Sequence, residues 1–253
     1  MKILAKHFLC KIFLCVNLFY SINLYADEFI DNYNFDEDVN WSSHINLAND
    51  IFEPINRPVF YFNDYIYNHI LNPFTDFYTD YTPELVRNSF KNFFANLKYP
   101  SRVFSNILQF KIKEAYFESL KFGINSTVGI IGLNTPSDKF SFLNQIPDQN
   151  FEKVLAAWGV PQGPYIVVPI LGPSTFRDLP AQIIDRKLNV IDVNSDNWDT
   201  VDSEWITLLN TAEILSINEE ILPKYYNVKK TSIDFYSALR SAYLQQRDQA
   251  ISE

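Results

Sequence analysis

Apolar side chains recur every three or four residues along most of this chain, which is the spacing of amphipathic helices. The clearest stretch is 82–125, where Thr82-Pro83-Glu84 has the composition of a helix start and Pro100 is expected to end the first helix. In this stretch Val103, Phe104, Ile107 and Leu108 form one apolar stripe. Four more segments share the spacing and are predicted to be helical: 58–71, 180–192, 203–216 and 232–250. The pattern therefore predicts a mainly α protein.

All six glycines lie between residues 123 and 172, where the helical spacing is interrupted. Because glycine relaxes backbone restrictions, 123–132 is predicted to be a flexible apolar hairpin rather than further helix. A polar loop is expected over 134–150, then a short helix that ends at Gly159. The proline-rich segment 161–173 is the one candidate for extended structure, so we expect a Gly/Pro-rich hairpin and little or no β-structure.

The first 26 residues have the three zones of a secretory signal peptide. Lys2, Lys6 and Lys11 give a basic start, an apolar run follows from 12 to 20, and Ala26 suits the residue before a cleavage site. An uncleaved anchor helix is the alternative. Residues 27–48 are acidic and polar and are expected to form a flexible lead-in, which leaves 49–253 as one helical domain.

The only two cysteines, Cys10 and Cys15, lie inside this predicted signal. A lipid-anchored precursor needs a small residue before its acylated cysteine, whereas Leu9 and Leu14 precede these two. We therefore expect no lipid anchor, and no disulfide in residues 27–253.

Residues 27–253 carry 18 basic and 30 acidic side chains, and so a net charge of −12. This balance argues against nucleic acid as a partner, because phosphate binding requires concentrated positive charge. Aromatic residues make up 16% of the chain, including 22 Phe and 15 Tyr. Such side chains suit a membrane–water interface; an aromatic-rich core would explain them equally well.

No catalytic pattern is present in the sequence. The only histidines beyond the predicted signal are His44 and His69, without companions at metal-ligand spacing. Ser174 follows Gly172-Pro173 rather than occupying a Gly-x-Ser-x-Gly turn, and phosphate-loop and dinucleotide motifs are absent. We therefore expect no enzymatic activity, no metal and no cofactor, and we interpret Arg177-Asp178 as a structural ion pair or helix-start contact.

Seven stretches taken in order, from about 49 to 248, resemble the MlaA/VacJ family. The residues that carry most of the resemblance are Asn56, Arg57, Phe60, Phe62, Asn63, Gly163, Pro164, Tyr165, Gly172, Pro173, Arg177 and Asp178. The others are Arg87 with 92–97 and Pro100, then 106–109, 125–129, Gly159-Val160 and 239–247. One departure is Ile51, where the family has proline; the second is the missing acylated cysteine.

The resemblance implies a ring-like bundle of amphipathic helices in the outer membrane, on its periplasmic side, with an amphipathic pore. It further implies removal of phospholipid from the outer leaflet, transfer to a soluble periplasmic carrier, and association with an outer-membrane porin trimer. The direction of transport rests on the resemblance alone.

We expect the lipid path or its gate to involve Gly123, Asn125, Thr127, Gly129 and Gly132, because glycines cluster there. Bulky substitutions of Gly129 or Gly132 are expected to alter lipid asymmetry without unfolding the protein. Two alternatives remain: a porin-associated structural or surface factor, and a periplasmic lipid hydrolase that depends on His44 or His69.

Overall fold

The computed structural model describes residues 50–188 and 203–252. The predicted signal peptide, the acidic lead-in and the end of the helix predicted over 180–192 lie outside the described residues, as do Cys10, Cys15 and His44.

The first helical rod is longer than predicted. Helix α1 (Glu53–Ile66) continues through one π-helical turn (Tyr67–Leu71) directly into α2 (Asn72–Tyr81). The prediction of a helix over 58–71 was therefore wrong at both ends, and Pro58 and Pro73 do not interrupt the rod. Pro73 lies in the first turn of α2, where a missing N–H is tolerated, and Pro58 is exposed within α1.

Helices α3 (Glu84–Leu97), α4 (Tyr99–Leu108) and α5 (Ile112–Thr127) occupy the stretch predicted most clearly. The breaks near 82 and 100 are confirmed, with two corrections. Pro83, not Thr82, is the residue before α3, and no side chain caps that helix. Helix α5 runs to Thr127, so the first half of the predicted hairpin over 123–132 is helical instead.

The segment 134–175 holds the least regular structure. A 3₁₀ turn (Pro136–Lys139) and helix α6 (Ser141–Asn144) interrupt the predicted polar loop. Helix α7 (Phe151–Ala157) ends before Gly159, whose φ of 81° supports the predicted helix stop. Strands β1 (Tyr165–Val168) and β2 (Gly172–Thr175) pair as an antiparallel hairpin, with Tyr165 opposite Thr175. The expectation of extended structure near 161–173 is thus confirmed.

Helices α8 (Asp178–Leu188), α9 (Ser203–Thr231) and α10 (Phe235–Ser252) complete the described chain. Helix α9 extends far beyond the predicted end at 216 and contains Pro223, which is exposed. Pro223 has no N–H to donate to the carbonyl of Glu219, four residues earlier in the helix.

The main core lies where α1, β1, α9 and α10 meet, and it is largely aromatic. Its buried members are Phe60, Tyr165, Val167, Ile221, Tyr225, Tyr236, Leu239 and Tyr243. Edge-to-face contacts join the ring of Phe60 to Phe235 and Tyr236, the geometry that aromatic quadrupoles favour. A smaller core of Phe151, Val154 and Ala181 joins α7 to α8. The mainly α prediction is confirmed, with a single two-stranded sheet in the described residues.

Candidate functional site

Several helices bury polar side chains and expose apolar ones. On α4, Ser101, Ser105 and Asn106 are buried, whereas Phe104 and Ile107 of the predicted apolar stripe are exposed. On α5, Glu118 and Asn125 are buried and Tyr116 is exposed. The apolar face of α4 is therefore turned partly outward, the reverse of the arrangement usual in a water-soluble protein.

The rod formed by α1 and α2 carries an outer apolar stripe. This stripe consists of Ile55, Tyr61, Phe62, Tyr65, Phe77 and Tyr81, all of which are exposed. Exposed large apolar side chains in this number along one rod indicate a membrane or protein partner. Within residues 50–188 and 203–252, no helix combines the length and the apolar content needed to cross a bilayer.

Buried charges lie inside the molecule. Glu152 of α7 accepts a hydrogen bond from Arg177 at 3.2 Å and another from Arg247 of α10 at 2.8 Å. The hydroxyl of Tyr243 donates to Asp178 at 2.5 Å, and burial raises the pKa of Tyr243 well above its usual value. Arg177 and Asp178 are thus part of a buried framework, in line with the structural interpretation of that pair.

Asn56 and Asn63, two turns apart on α1, hold strand β1. Asn56 donates to the carbonyl of Tyr165 at 3.2 Å and accepts from the amide of Val167 at 2.8 Å. Asn63 donates to the carbonyl of Val168 at 3.0 Å and accepts from the amide of Ile170 at 2.6 Å. These amides satisfy backbone groups that β2 does not reach, so both residues position the hairpin.

Arg57 connects α1 to the start of α10. Its guanidinium donates to Asp234 at 2.6 Å and 3.0 Å, and to Glu53 at 2.6 Å. The hydrogen bonds from Arg57 lower the pKa of Asp234 to about 2. This family-motif residue therefore joins two helices.

The remaining motif residues also build the framework, with one exception. Gly163 has a φ of 73° and Gly172 a φ of 91°, which glycine adopts most readily, and the carbonyl of Pro164 accepts from the amide of Phe176 at 3.3 Å. Phe60 and Tyr165 are core residues, and Pro173 lies in β2 opposite Val167. Phe62, in contrast, is part of the outer apolar stripe.

Of the five gate candidates, the structure brings Asn125, Gly129 and Gly132 together. The carbonyl of Asn125 accepts from the amide of Gly132 at 2.9 Å, and its side-chain oxygen accepts from the amide of Ser137 at 3.1 Å. Gly123 and Thr127 lie on α5, where Thr127 is exposed and donates to the carbonyl of Gly123 at 2.6 Å.

Both glycines of the turn are closely packed. A Cβ atom on Gly129 would lie 2.2 Å from the carbonyl oxygen of Asn134, and one on Gly132 would lie 2.6 Å from the Cβ of Asn96. The expectation that bulky residues are tolerated at Gly129 or Gly132 without unfolding was therefore wrong, because backbone atoms occupy the space beside Gly129 and Gly132 has a φ of 88°.

Residues 128–133 form what we call the apolar turn. Val128, Ile130 and Ile131 are exposed, and Ile130 and Ile131 have φ values of 58° and 59°, a strained conformation for β-branched residues. Two amides of α3 hold the turn: Asn96 donates to the hydroxyl of Ser126 at 3.0 Å, and Asn92 donates to the carbonyl of Leu133 at 3.3 Å. We call these two hydrogen bonds of Asn92 and Asn96 the polar latch. Sequence reasoning missed it, because asparagine at helical spacing gives no signal of its partner.

The candidate hydrolase residues have ordinary structural contacts. Ser174 is buried and donates to the carbonyl of Thr175 at 3.4 Å, and His69 is exposed with its Nδ1 2.9 Å from the carbonyl oxygen of Tyr65. In the part of the chain that the structure describes, no group of three or more His, Cys, Asp or Glu side chains could hold a metal ion.

Comparison with known proteins identifies relatives along most of the chain. An uncharacterized protein of Rickettsia conorii is 30% identical over 237 residues, which cover 91% of this chain and 90% of the relative. The intermembrane phospholipid transport system lipoprotein MlaA of Escherichia coli K12 is 26% identical over 206 residues, covering 79% and 77% of the two chains.

A solved structure also shares this fold. It is described as the structural basis for maintenance of bacterial outer membrane lipid asymmetry, and it matches with a TM-score of 0.67 at 24% identity. The match covers 80% of this chain and 98% of the other.

The family model described as MlaA lipoprotein matches residues 48–250, close to the range over which the sequence resembles that family. The word lipoprotein conflicts with the expectation of no lipid anchor, and that expectation stays a prediction because Cys10 and Cys15 lie outside the described residues. The match extends over most of the chain, through the framework residues and the apolar turn alike, and the chain therefore belongs to the MlaA family.

Proposed function

We propose that this protein is the outer-membrane component of an intermembrane phospholipid transport system. It removes phospholipid from the outer leaflet and passes it to a soluble periplasmic carrier, which maintains lipid asymmetry. The observation that carries the proposal is the set of apolar side chains that α1, α2 and α4 expose, beside polar side chains that α4 and α5 bury, in a chain of the MlaA family.

This polarity suits a protein seated among acyl chains. The outer apolar stripe and the exposed face of α4 lose their contact with water when lipid covers them, which is worth about 0.8 kcal/mol for each buried methylene-sized group. The buried Glu152 accepts from Arg177 and Arg247, and the buried Asp178 lies 3.7 Å from Arg177, so two carboxylates balance two guanidinium groups in the interior.

Transport is a passive partition in this proposal. A phospholipid moves with its acyl chains against apolar side chains and its head group along polar ones, and no covalent step is required. The apolar turn is the proposed gate, because it exposes Val128, Ile130 and Ile131 next to the polar latch of Asn92 and Asn96. Asn125, Gly129 and Gly132 fix the shape of this gate.

The partners in the proposal are phospholipid, the soluble periplasmic carrier and an outer-membrane porin trimer. The relatives named as transport-system lipoproteins support the first two. Location at the periplasmic side of the outer membrane belongs to the same proposal, and so does anchoring through helices rather than through an acylated cysteine.

The experiment that tests the proposal is purification of the full chain from membranes, followed by mass spectrometry of bound lipid. Intact phospholipid in stoichiometric amount is expected, and labelled phospholipid should move between donor and acceptor vesicles only when the protein is present. Lipid-free protein without transfer activity would contradict the proposal and favour the porin-associated structural factor.

Labelled phospholipid added to the same preparation distinguishes transport from hydrolysis. We expect no release of fatty acid by the wild type or by a His69→Ala variant. Release that disappears in the variant would instead establish a lipid hydrolase.

A further inference from the structure

The turn between α4 and α5 combines several exposed apolar side chains with two lysines. Phe110 at its apex is 87% exposed, and Ile107 and Ile112 beside it are exposed as well. Phe104 on α4 and Tyr116 on α5 extend this surface along both helices.

Phe110 is held in a costly conformation without any benefit from burial. Its φ of 59° lies in the left-handed region, which costs roughly 1 kcal/mol for a residue with a Cβ. Because the ring is exposed, its contacts within the protein do not offset this cost, which indicates a partner outside the protein.

The backbone of the turn is nevertheless well fixed. The amide of Phe110 donates to the carbonyl of Ile107 at 2.9 Å, and that of Lys111 donates to the buried Asn106 at 2.9 Å. Gln109 reaches across to Gln149 at 2.7 Å. The ring is therefore presented by a rigid support, so little conformational entropy is lost when it binds.

Two lysines accompany the ring in a chain with an overall charge of −9. Lys111 and Lys113 follow Phe110 in the sequence, and neither forms an ion pair with a carboxylate among the described residues; Lys113 lies 5.5 Å from the ring of Phe117. Trp158 adds an exposed indole whose Nε1 donates to the carbonyl of Leu108 at 3.3 Å. Aromatic rings with adjacent lysines are the combination that binds the interface of an anionic bilayer.

We propose that the α4–α5 turn inserts into a leaflet rich in anionic phospholipid, with Phe110 among the acyl chains and Lys111 and Lys113 at the acidic head groups. The inference rests on the membrane location proposed above and deepens it, because it names the element and the head-group class that orient the protein. In this orientation Trp158 lies at the membrane–water interface, where indole rings are enriched.

A fluorescent probe at the apex tests the insertion. In a background with Cys10 and Cys15 replaced by serine, Phe110→Cys carries an environment-sensitive dye, and Asn227→Cys on the exposed polar face of α9 is the matched control. On vesicles of phosphatidylethanolamine and phosphatidylglycerol, the emission at position 110 should shift to the blue and be quenched by spin-labelled acyl chains. The dye at position 227 should stay in water.

A charge variant tests the choice of head group. Lys111→Gln with Lys113→Gln should raise the concentration of anionic vesicles needed for half-maximal response about 30-fold, because each lysine near an anionic surface strengthens binding about fivefold. Lys139→Gln with Lys230→Gln removes the same charge from exposed positions elsewhere and should have little effect.

Three outcomes would overturn the inference: an aqueous signal at position 110 on anionic vesicles, equal response to anionic and purely zwitterionic vesicles, or a probe shielded only in whole envelopes, which indicates a protein partner. Vesicle-to-vesicle lipid transfer, measured in the same samples, keeps the two proposals separate. Transfer without insertion refutes the role of the turn, and insertion without transfer refutes transport.

Discussion

At the scale of single residues, two glycines that look alike in the sequence have opposite roles. Gly123 lies within α5 with open space around its missing Cβ, whereas Gly129 is buried against the carbonyl oxygens of Asn125 and Asn134. Glycine is therefore required at position 129 for close approach of the backbone, and at position 123 it only weakens a helix.

Gly129→Ala should destabilise the protein by the order of 3 kcal/mol, the upper end for overpacking, because backbone atoms must move. Gly123→Ala is the matched control and should stabilise it by up to about 1 kcal/mol, the difference in helix propensity. Urea unfolding of the purified variants measures both values. Equal stability of the two variants would show that the apolar turn yields easily.

Asp185 is a second residue whose role its neighbours determine. Its carboxylate accepts from the amide of Phe151 at 2.9 Å and 3.1 Å, and from the hydroxyl of Ser101, so it joins α4, α7 and α8. Burial raises its pKa to about 6, against the lowering effects of Ser101, Phe151 and Lys98.

The raised pKa of Asp185 means that the folded state binds this proton more tightly than the unfolded state. Its contribution to the free energy of unfolding should therefore be largest below about pH 4 and should be lost as the pH rises through about 6. Asp185→Asn keeps an acceptor for Phe151 and should flatten the stability profile between pH 4 and 7. A wild-type profile that is already flat there would contradict this.

The pKa of Asp234 is shifted in the opposite direction from that of Asp185. Because Arg57 lowers its pKa to about 2, its contribution is present above about pH 4 and is lost as the pH falls through about 2. Asp234→Asn should therefore be less stable than wild type at pH 7, with a smaller difference near pH 2. A difference that stays constant with pH would show that the pair with Arg57 is unimportant.

At the scale of elements, α1 serves as the missing neighbour strand for β1. Its two asparagines provide both donors and acceptors to a hairpin too small to be stable alone. Helical spacing explains this directly, since Asn56 and Asn63 are seven residues apart and project from one face.

Asn63→Ala should cost roughly 2–4 kcal/mol, because it leaves the carbonyl of Val168 and the amide of Ile170 without a partner. Asn68→Ala is the control, as Asn68 bonds only to the carbonyl of Asp64 within its own helix. Hydrogen exchange at the amide of Ile170 reports on the contact and should accelerate in the first variant alone. Unchanged exchange would show that β2 suffices to hold β1.

Element boundaries show where local sequence was sufficient. The breaks near 82 and 100, the helix stop at Gly159 and the extended segment near 165 all depend on proline or glycine acting on the adjacent backbone. Pro58 and Pro223 do not end helices, because the contacts on neighbouring faces outweigh the loss of one hydrogen bond at each, and Pro73 lies in the first turn of α2, where a missing N–H is tolerated. Those contacts form between residues distant in sequence, so no local pattern predicts them.

At the scale of the whole molecule, the buried ion pairs connect parts of the chain that are far apart. Glu152, Arg177 and Arg247 bring α7, the end of the β-hairpin and α10 together. Removing Glu152 leaves both guanidinium groups buried without the carboxylate that accepts from them, which is strongly destabilising.

Glu152→Ala should therefore reduce the free energy of unfolding by about 3–5 kcal/mol, and Glu114→Ala on α5, with its partly exposed side chain, by less than about 0.5 kcal/mol. Thermal unfolding in detergent compares the two. Similar melting temperatures would mean that solvent reaches the network in the folded protein.

The sequence alone determined the class of the fold and the family, because helical periodicity and the order of motifs are properties of the sequence itself and require no knowledge of the tertiary structure. It also identified the residues of the framework, such as Asn56, Arg177 and Asp178, and the segment that contains the apolar turn. Only the tertiary structure decided which face of each helix is outside, which glycine has no room for a side chain, and which charges meet in the interior. Periodicity shows that a helix has an apolar and a polar face. Which face points outward depends on the elements that pack against the helix, and these come from distant parts of the chain.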